Sequence, residues 1–159
     1  MIGLYYEDHE VGQTAPLGAY RFTREAIVDF ARQFDPQPFH LDEAAAAKSM
    51  FGGLCASGWH TVSVSMRLLV DGRYAQRATA AARGEKPPPL GLGKGVRDLR
   101  WSAPVRPGDV IAFSLRVESM RDARRPQWGQ IDMRIVGVNQ EGREVCAYTL
   151  TGLAARRSA

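Results

Sequence analysis

The sequence predicts a protein of the α+β class, because helical and strand-forming segments occupy different halves of the chain. Residues 23 to about 78 carry apolar side chains at the spacing of amphipathic helices. Residues 96 to about 155 instead alternate between apolar and polar side chains, which is typical of strands. No repeat and no low-complexity linker divides the 159 residues, so we expect one domain over residues 1–159.

The first helix is predicted to begin after Thr23, whose hydroxyl can cap its N-terminus, and to end near Phe34. Ile27 and the apolar residues at i+3, i+4 and i+7 lie on one face of this segment. Pro36 disfavours helical geometry at Asp35, so the helix should stop at that point.

Two further helices and a loop are predicted in the middle of the chain. Asp42 can cap a short alanine-rich helix, "EAAAAKSM", which precedes the glycine-rich turn "FGGLCASGWH". A long helix then begins at Ser57 or Gly58 and weakens after Gly72. Its predicted apolar stripe consists of Val62, Met66, Leu69 and Val70. Residues 79–95 contain a triple proline and are predicted to form a loop, whose role the sequence leaves open.

About five strands are predicted. One lies near "GAYRF", and four follow one another at residues 96–101, 111–117, 131–135 and 145–153. Consecutive strands joined by short turns favour an antiparallel sheet. The apolar stripe of the long helix and the apolar face of the sheet each need a partner, so we expect the helix to cover one face.

The composition favours an ordinary globular protein and excludes several classes. The chain is 45% apolar and 24% charged, with a net charge of +4. No apolar run approaches the roughly 20 residues of a membrane span, and the N-terminus lacks the basic region of a secretory signal. Two cysteines without CxxC spacing fit reduced thiols, so we expect a cytoplasmic protein. The basic residues are scattered and no nucleic-acid motif occurs, so we expect no nucleic-acid partner.

The sequence gives no support for a metal site or a serine hydrolase. The three histidines are His9, His40 and His60, and no pair of them has metal-ligand spacing. No GxSxG motif occurs either. We therefore expect neither a metal nor a serine nucleophile.

The segment "FDPQPFH" contains the best candidates for acid–base chemistry, Asp35 and His40. Two prolines restrict the backbone between them, and a carboxylate beside an imidazole can exchange protons near neutral pH. Phe34 and Phe39 flank the pair and are expected to exclude water. Spacing alone favours the alternative, in which Asp35 is a turn residue and His40 a partly buried loop histidine.

The predicted start of the long helix is a second candidate site. A helix N-terminus has free N–H groups and the positive end of the helix dipole, and Gly58 would let a ligand approach that backbone closely. This is the geometry that an oxyanion or a thioester carbonyl requires. The alternative is an ordinary helix cap.

The segment "FARQFDPQPFHLDEAAAAKSMFGGLCASGWHT" resembles the motif region of MaoC-like dehydratases, relatives of the (R)-specific enoyl-CoA hydratases. The resemblance continues through "LRWSAPVRPGD" to "TGLAARR" and so covers nearly the whole chain. It implies a hot-dog fold, in which an antiparallel sheet wraps around a long central helix.

The resemblance also implies an activity, the reversible hydration of a 2-enoyl-CoA. Asp35 and His40 would hold the catalytic water, and the Gly58 N–H would bind the thioester oxygen. The substrate would be an acyl-CoA and no cofactor is expected. An exposed sheet edge and a thin core further favour a homodimer or a higher homo-oligomer.

The sequence departs from the family pattern at three positions. Gln37 stands where these hydratases often have Asn, Phe34 where they have Gly, and Ser57 where many have His. Ser57 and Ser63 are candidate polar contacts to the substrate. Two alternative functions stay open: a hot-dog acyl-CoA thioesterase, and a non-catalytic acyl-CoA-binding protein.

Overall fold

A computed structural model describes residues 4–157, in which five antiparallel strands form one sheet in the order β1-β3-β4-β5-β2. The strands are β1 (Thr14–Arg21), β2 (Gly93–Trp101), β3 (Val110–Asp122), β4 (Trp128–Val138) and β5 (Glu144–Ala155). The helices are α1 (Arg24–Phe34), α2 (Pro38–Leu41), α3 (Glu43–Ala47) and α4 (Gly58–Ala82), and a short 3-10 helix spans Tyr6–Asp8. The predicted α+β architecture, with a long helix on an antiparallel sheet, is confirmed. Within residues 4–157, no helix is long and apolar enough to cross a membrane.

The main core lies between α4 and the inner face of β3, β4 and β5. Val117, Ile135 and Tyr148 are completely buried there and cluster with Leu69 of α4. The Ser65 hydroxyl of α4 lies 2.8 Å from the Tyr148 hydroxyl, which satisfies both buried groups. Val70 is 38% exposed, so its assignment to the core-facing stripe is wrong.

Helix α4 is longer than the sequence indicated, and the predicted loop is correspondingly shorter. The helix continues to Ala82 and β2 begins at Gly93, so the loop covers residues 83–92 rather than 79–95. Alanine and straight-chain side chains after Gly72 favour helix even without an apolar stripe. The Arg77 guanidinium donates to the Pro88 carbonyl and ties this loop to α4.

Strand β1 begins at Thr14, four residues before the predicted start at Gly18. Pro16 has no backbone N–H and cannot donate to a strand ladder. However, β1 lies at an edge of the sheet and pairs only with β3, where a proline is tolerated. The register shifts between Pro16 and Gly18, and Gly18 has a φ of 129°.

The segment between Asp35 and Asp42 was predicted as a loop, and this is wrong for its second half. Pro38 opens the one-turn helix α2, where its fixed φ and missing N–H are compatible with the first helical position. Asp42 caps α3 through the Ala45 N–H, as predicted, but α3 ends at Ala47 rather than at Met50.

Candidate functional site

Asp35 and His40 meet at the junction of α1 and α2. Asp35 is the C-terminal cap of α1, and His40 projects from α2. His40 Nε2 lies 3.4 Å from Asp35 Oδ2, and the side chains are only 7% and 19% exposed. The short helix that begins at Pro38 therefore brings the acid and the imidazole together at one point.

The orientation of the His40 ring is fixed by the backbone. Its Nδ1 lies 2.7 Å from the carbonyl oxygen of Cys55, which can only accept, so Nδ1 carries a proton. In the neutral ring, Nε2 is then the unprotonated nitrogen that faces Asp35. The Phe39 ring packs edge-on against His40, with 4.6 Å between the ring centroids.

An arginine holds the segment that leads to Cys55. The Arg106 guanidinium donates to the backbone carbonyls of Phe51, Gly53 and Leu54. Three bonds from one rigid fork fix the path of this glycine-containing turn. The Cys55 carbonyl is thereby placed where it can accept from His40.

The Asp35 carboxyl is ionised at neutral pH. Burial would raise its pKa, but the Ser57 hydroxyl, the Gln37 amide and the His40 ring outweigh burial and lower the pKa below its ordinary value. Gln37 Nε2 donates to Asp35 Oδ1 at 2.8 Å. Gln37 thus holds Oδ1 of the carboxylate, while Oδ2 faces His40.

The first residues of α4 lie beside this pair. The Ser57 hydroxyl caps the helix by accepting from the Trp59 N–H at 3.2 Å. No acceptor for the Gly58 N–H is found among residues 4–157. A Cβ added at Gly58 would lie 2.6 Å from the indole nitrogen of Trp101, so only glycine allows this close approach.

These groups line one cavity of about 470 Å³. Asp35, His40, Ser57 and Gly58 form its polar end. The remaining wall is largely aromatic and apolar and includes Phe39, Phe51, Trp59, Trp101, Pro104, Val105 and Val145. A cavity with a few polar groups converging in an apolar wall is typical of a small-molecule site.

Two residues predicted to belong to the site, Ser63 and Phe34, lie away from it. Ser63 is exposed, its hydroxyl donates to the Trp59 carbonyl at 2.8 Å, and it is not part of the cavity wall described above. Its contact with a substrate stays a prediction. Phe34 is 68% exposed, so the expectation that it shields the Asp35–His40 pair is wrong, and only Phe39 packs there.

His60 lies in the first turn of α4 but belongs to an aromatic cluster rather than to the cavity wall. Its ring stacks on Phe30 with 4.6 Å between centroids and contacts Phe22 edge-on at 4.9 Å. It is 6% exposed, and Nδ1 has no hydrogen-bond partner among the described residues. Burial lowers the pKa of His60 to about 4, so the ring is neutral at physiological pH.

Sequence reasoning missed two contributors to the site, the Cys55 carbonyl and the Trp101 ring. Every residue has a backbone carbonyl, so the sequence cannot indicate which carbonyl contacts His40. Trp101 reaches Gly58 only because β2 pairs with β5, where Trp101 lies opposite Cys146. Among the described residues, no group of three or more His, Cys, Asp or Glu side chains could hold a metal ion.

Comparison with known proteins gives a consistent result. Residues 9–138 match the family model described as the MaoC like domain. Among solved structures, the MaoC-like dehydratase from Rhodospirillum rubrum is 37% identical, with a TM-score of 0.81, and the match covers 99% of this chain and 100% of that one. The match confirms the predicted hot-dog fold.

Two further similar proteins have described activities. The 3-hydroxybutyryl-CoA dehydratase of Methylorubrum extorquens is 31% identical over 123 residues, which cover 77% of this chain and 69% of that protein. The unliganded R-hydratase PhaJ1 from Pseudomonas aeruginosa is 26% identical with a TM-score of 0.66, and the match covers 97% of this chain and 87% of that one.

Proposed function

Because this chain belongs to the MaoC-like domain family, we propose that it catalyses the reversible hydration of a 2-enoyl-CoA. The observation that carries this proposal is the pairing of His40 Nε2 with Asp35 Oδ2, 3.4 Å apart. The similar 3-hydroxybutyryl-CoA dehydratase and R-hydratase support the reaction class, a hydro-lyase.

The pair supplies two acceptors for one water. The Asp35 carboxylate has no proton at neutral pH, and the tautomer of His40 that donates from Nδ1 to the Cys55 carbonyl presents a lone pair at Nε2. A water between them would donate one hydrogen to each and direct its own lone pair into the cavity. Water held in this way is oriented for attack at the cost of little further entropy.

In the proposed reaction the water oxygen bonds to Cβ of the enoyl group as one member of the pair takes its proton. The electron pair of the double bond moves onto the thioester, whose oxygen gains enolate charge. The free Gly58 N–H at the positive end of α4 would bind that oxygen. The proton then passes from the pair to Cα, so that one water is added and the pair is restored. Which member acts first is a property of the coupled pair.

The proposed reaction needs no cofactor beyond the CoA thioester of the substrate. We propose that the chain acts as a homo-oligomer in the cytoplasm. Strand β2 is at an edge of the sheet, and its Val96 and Trp101 are 48% and 47% exposed. An exposed edge strand with apolar side chains favours pairing with another copy.

The test incubates the protein with crotonyl-CoA and with longer 2-enoyl-CoAs, following the conjugated enoyl absorbance and free thiol in parallel. Loss of enoyl absorbance without thiol supports hydration. Thiol release would instead indicate a thioesterase, and neither signal would favour a non-catalytic acyl-CoA-binding protein.

Variants connect this activity to the pair. Asp35→Asn and His40→Ala should each lower hydration at least about 100-fold, the scale of a lost general acid or base. Asp29→Asn, on the exposed side of α1, is the matched control and should leave the rate unchanged. Near-normal rates in both site variants would contradict the mechanism.

A further inference from the structure

A second cavity of about 220 Å³ lies between the far half of α4 and strand β1. Its wall is mainly apolar and includes Ala15, Leu17, Leu68, Leu69, Leu115 and Met133. Among the residues that the structure describes, it shares none of its lining with the cavity at Asp35. Arg73 lies about 22 Å from Gly58 along α4, at 1.5 Å per residue. The second cavity is therefore separate from the candidate active site.

Arg73 is the charged residue in this wall. It also lines a smaller apolar cavity of about 150 Å³, next to the loop residues Leu90 and Leu92. Its side chain is partly buried, and within residues 4–157 no carboxylate lies within ion-pairing distance of its guanidinium. A cation set among apolar side chains without an anionic partner is costly.

The surroundings add positive rather than negative charge. Burial lowers the pKa of Arg73, and the nearby positive charge of Arg77 lowers it further. His9 also lies near Arg73: burial lowers the pKa of the His9 ring, and the positive charge of Arg73 lowers it further. The positive charge of Arg77 therefore adds to that of Arg73, and no ion pair among residues 4–157 supplies an anion to either guanidinium.

We propose that this cavity binds an alkyl carboxylate, with the chain against the apolar wall and the carboxylate on Arg73. The planar guanidinium can bind both carboxylate oxygens at once. A volume of about 220 Å³ equals that of roughly seven liquid waters, which suits a chain of about that many heavy atoms. This proposal goes beyond the enoyl hydration described above and does not depend on it.

Two sources can supply this chemistry: a free medium-chain acid, or an acyl thioester that ends in a second carboxylate. Competition against bound octanoate distinguishes them. If a 2-enoyl-CoA with a terminal carboxylate displaces octanoate while the plain thioester of equal length does not, the ligand is an acyl thioester that ends in a carboxylate. If neither displaces it, the ligand is a free acid.

The test is calorimetric titration of the full chain with octanoate and with 1-octanol, which has the same chain without the charge. Wild type should bind octanoate at least about tenfold more tightly than octanol, the scale of a charge-assisted hydrogen bond. Arg73→Met should abolish this preference, and Arg73→Lys should keep part of it. Arg67→Met, which removes an exposed arginine paired with Asp71 on the same helix, is the matched control and should bind like wild type.

Folding of each variant is checked by its thermal unfolding transition. If Arg73→Met is unstable, Arg73→Lys is compared with wild type instead, and its preference for octanoate over octanol should be reduced. The proposal is overturned if octanoate does not bind, if octanoate and octanol bind equally well, or if a folded Arg73→Met variant retains the preference for octanoate.

Discussion

The close packing of Trp101 on Gly58 predicts that Gly58→Ala destabilises the protein. The added Cβ would lie 2.6 Å from two atoms of the indole, whereas carbon contacts are normally about 3.5–4.0 Å. The ring must therefore move by about 1 Å, and overpacking of this kind costs about 1–3 kcal/mol. Because Trp101 is 47% exposed and can yield, we expect the lower end of that range. Alanine also restricts the unfolded chain, which offsets about 0.4–1 kcal/mol, so the net destabilisation should be small, at most roughly 0.6 kcal/mol, and the contact is measured by the coupling of the two substitutions.

Urea unfolding of Gly58→Ala, Trp101→Ala and the double variant measures this contact. Once the indole is absent, alanine at position 58 should no longer destabilise, so the two substitutions should be non-additive by about 1 kcal/mol or more. Gly72→Ala is the matched control on the same helix, since no atom of residues 4–157 lies within 4 Å of its added Cβ, and it should be neutral or stabilising. Additive effects within about 0.5 kcal/mol would refute the packing argument.

Two further predictions concern buried titratable groups. The pKa of His60 is about 4 in the folded protein against about 6.5 when unfolded, so the unfolded state binds the extra proton first and stability falls as the pH drops from 7.5 to 4. The free energy of unfolding should fall by about 3 kcal/mol over this range. Denaturant unfolding between pH 7.5 and pH 4 should show a smaller fall in His60→Leu than in wild type. An equal fall in both proteins would contradict the low pKa of His60. Asp132 accepts bonds from Thr151 and Arg121, and its neighbours lower its pKa to about 2 although burial opposes them. Asp132→Asn should therefore cost about 2 kcal/mol at pH 7, and an unchanged urea midpoint would show that this network contributes nothing.

The elements that could be predicted from the sequence are those fixed by local chemistry. Thr23 caps α1 as predicted, and Ser57, near which α4 was expected to begin, caps that helix, because a cap depends on residues two or three positions away. Asp35 and His40 are likewise close in sequence, so the prolines between them could suggest that they meet. Strand alternation identified β3, which buries every second residue, and the apolar residues of β4 and β5 marked those strands although both are buried on most positions.

The features that could not be predicted depend on contacts between segments that are distant in the sequence, or on helix propensity in a segment that has no apolar periodicity. The residues around Gly58 in the sequence do not predict its contact with Trp101, because the position of Trp101 is set by the pairing of β2 with β5. Helix α4 extends past its apolar stripe because its last residues are good helix formers rather than core residues. The early start of β1 at Thr14 depends on its place at the sheet edge, where Pro16 does not interrupt a central ladder.

The bond between the His40 ring and the Cys55 carbonyl has a genetic consequence. A main-chain oxygen is present whatever side chain occupies the position, so substitutions at residue 55 cannot delete this acceptor. Small residues such as Ala or Ser should keep the imidazole tautomer, and because Cys55 is buried, a saturation library should exclude large and charged side chains at position 55. The position of the proton on the His40 ring therefore depends on the backbone conformation. It should survive amino-acid substitutions that would remove a side-chain acceptor.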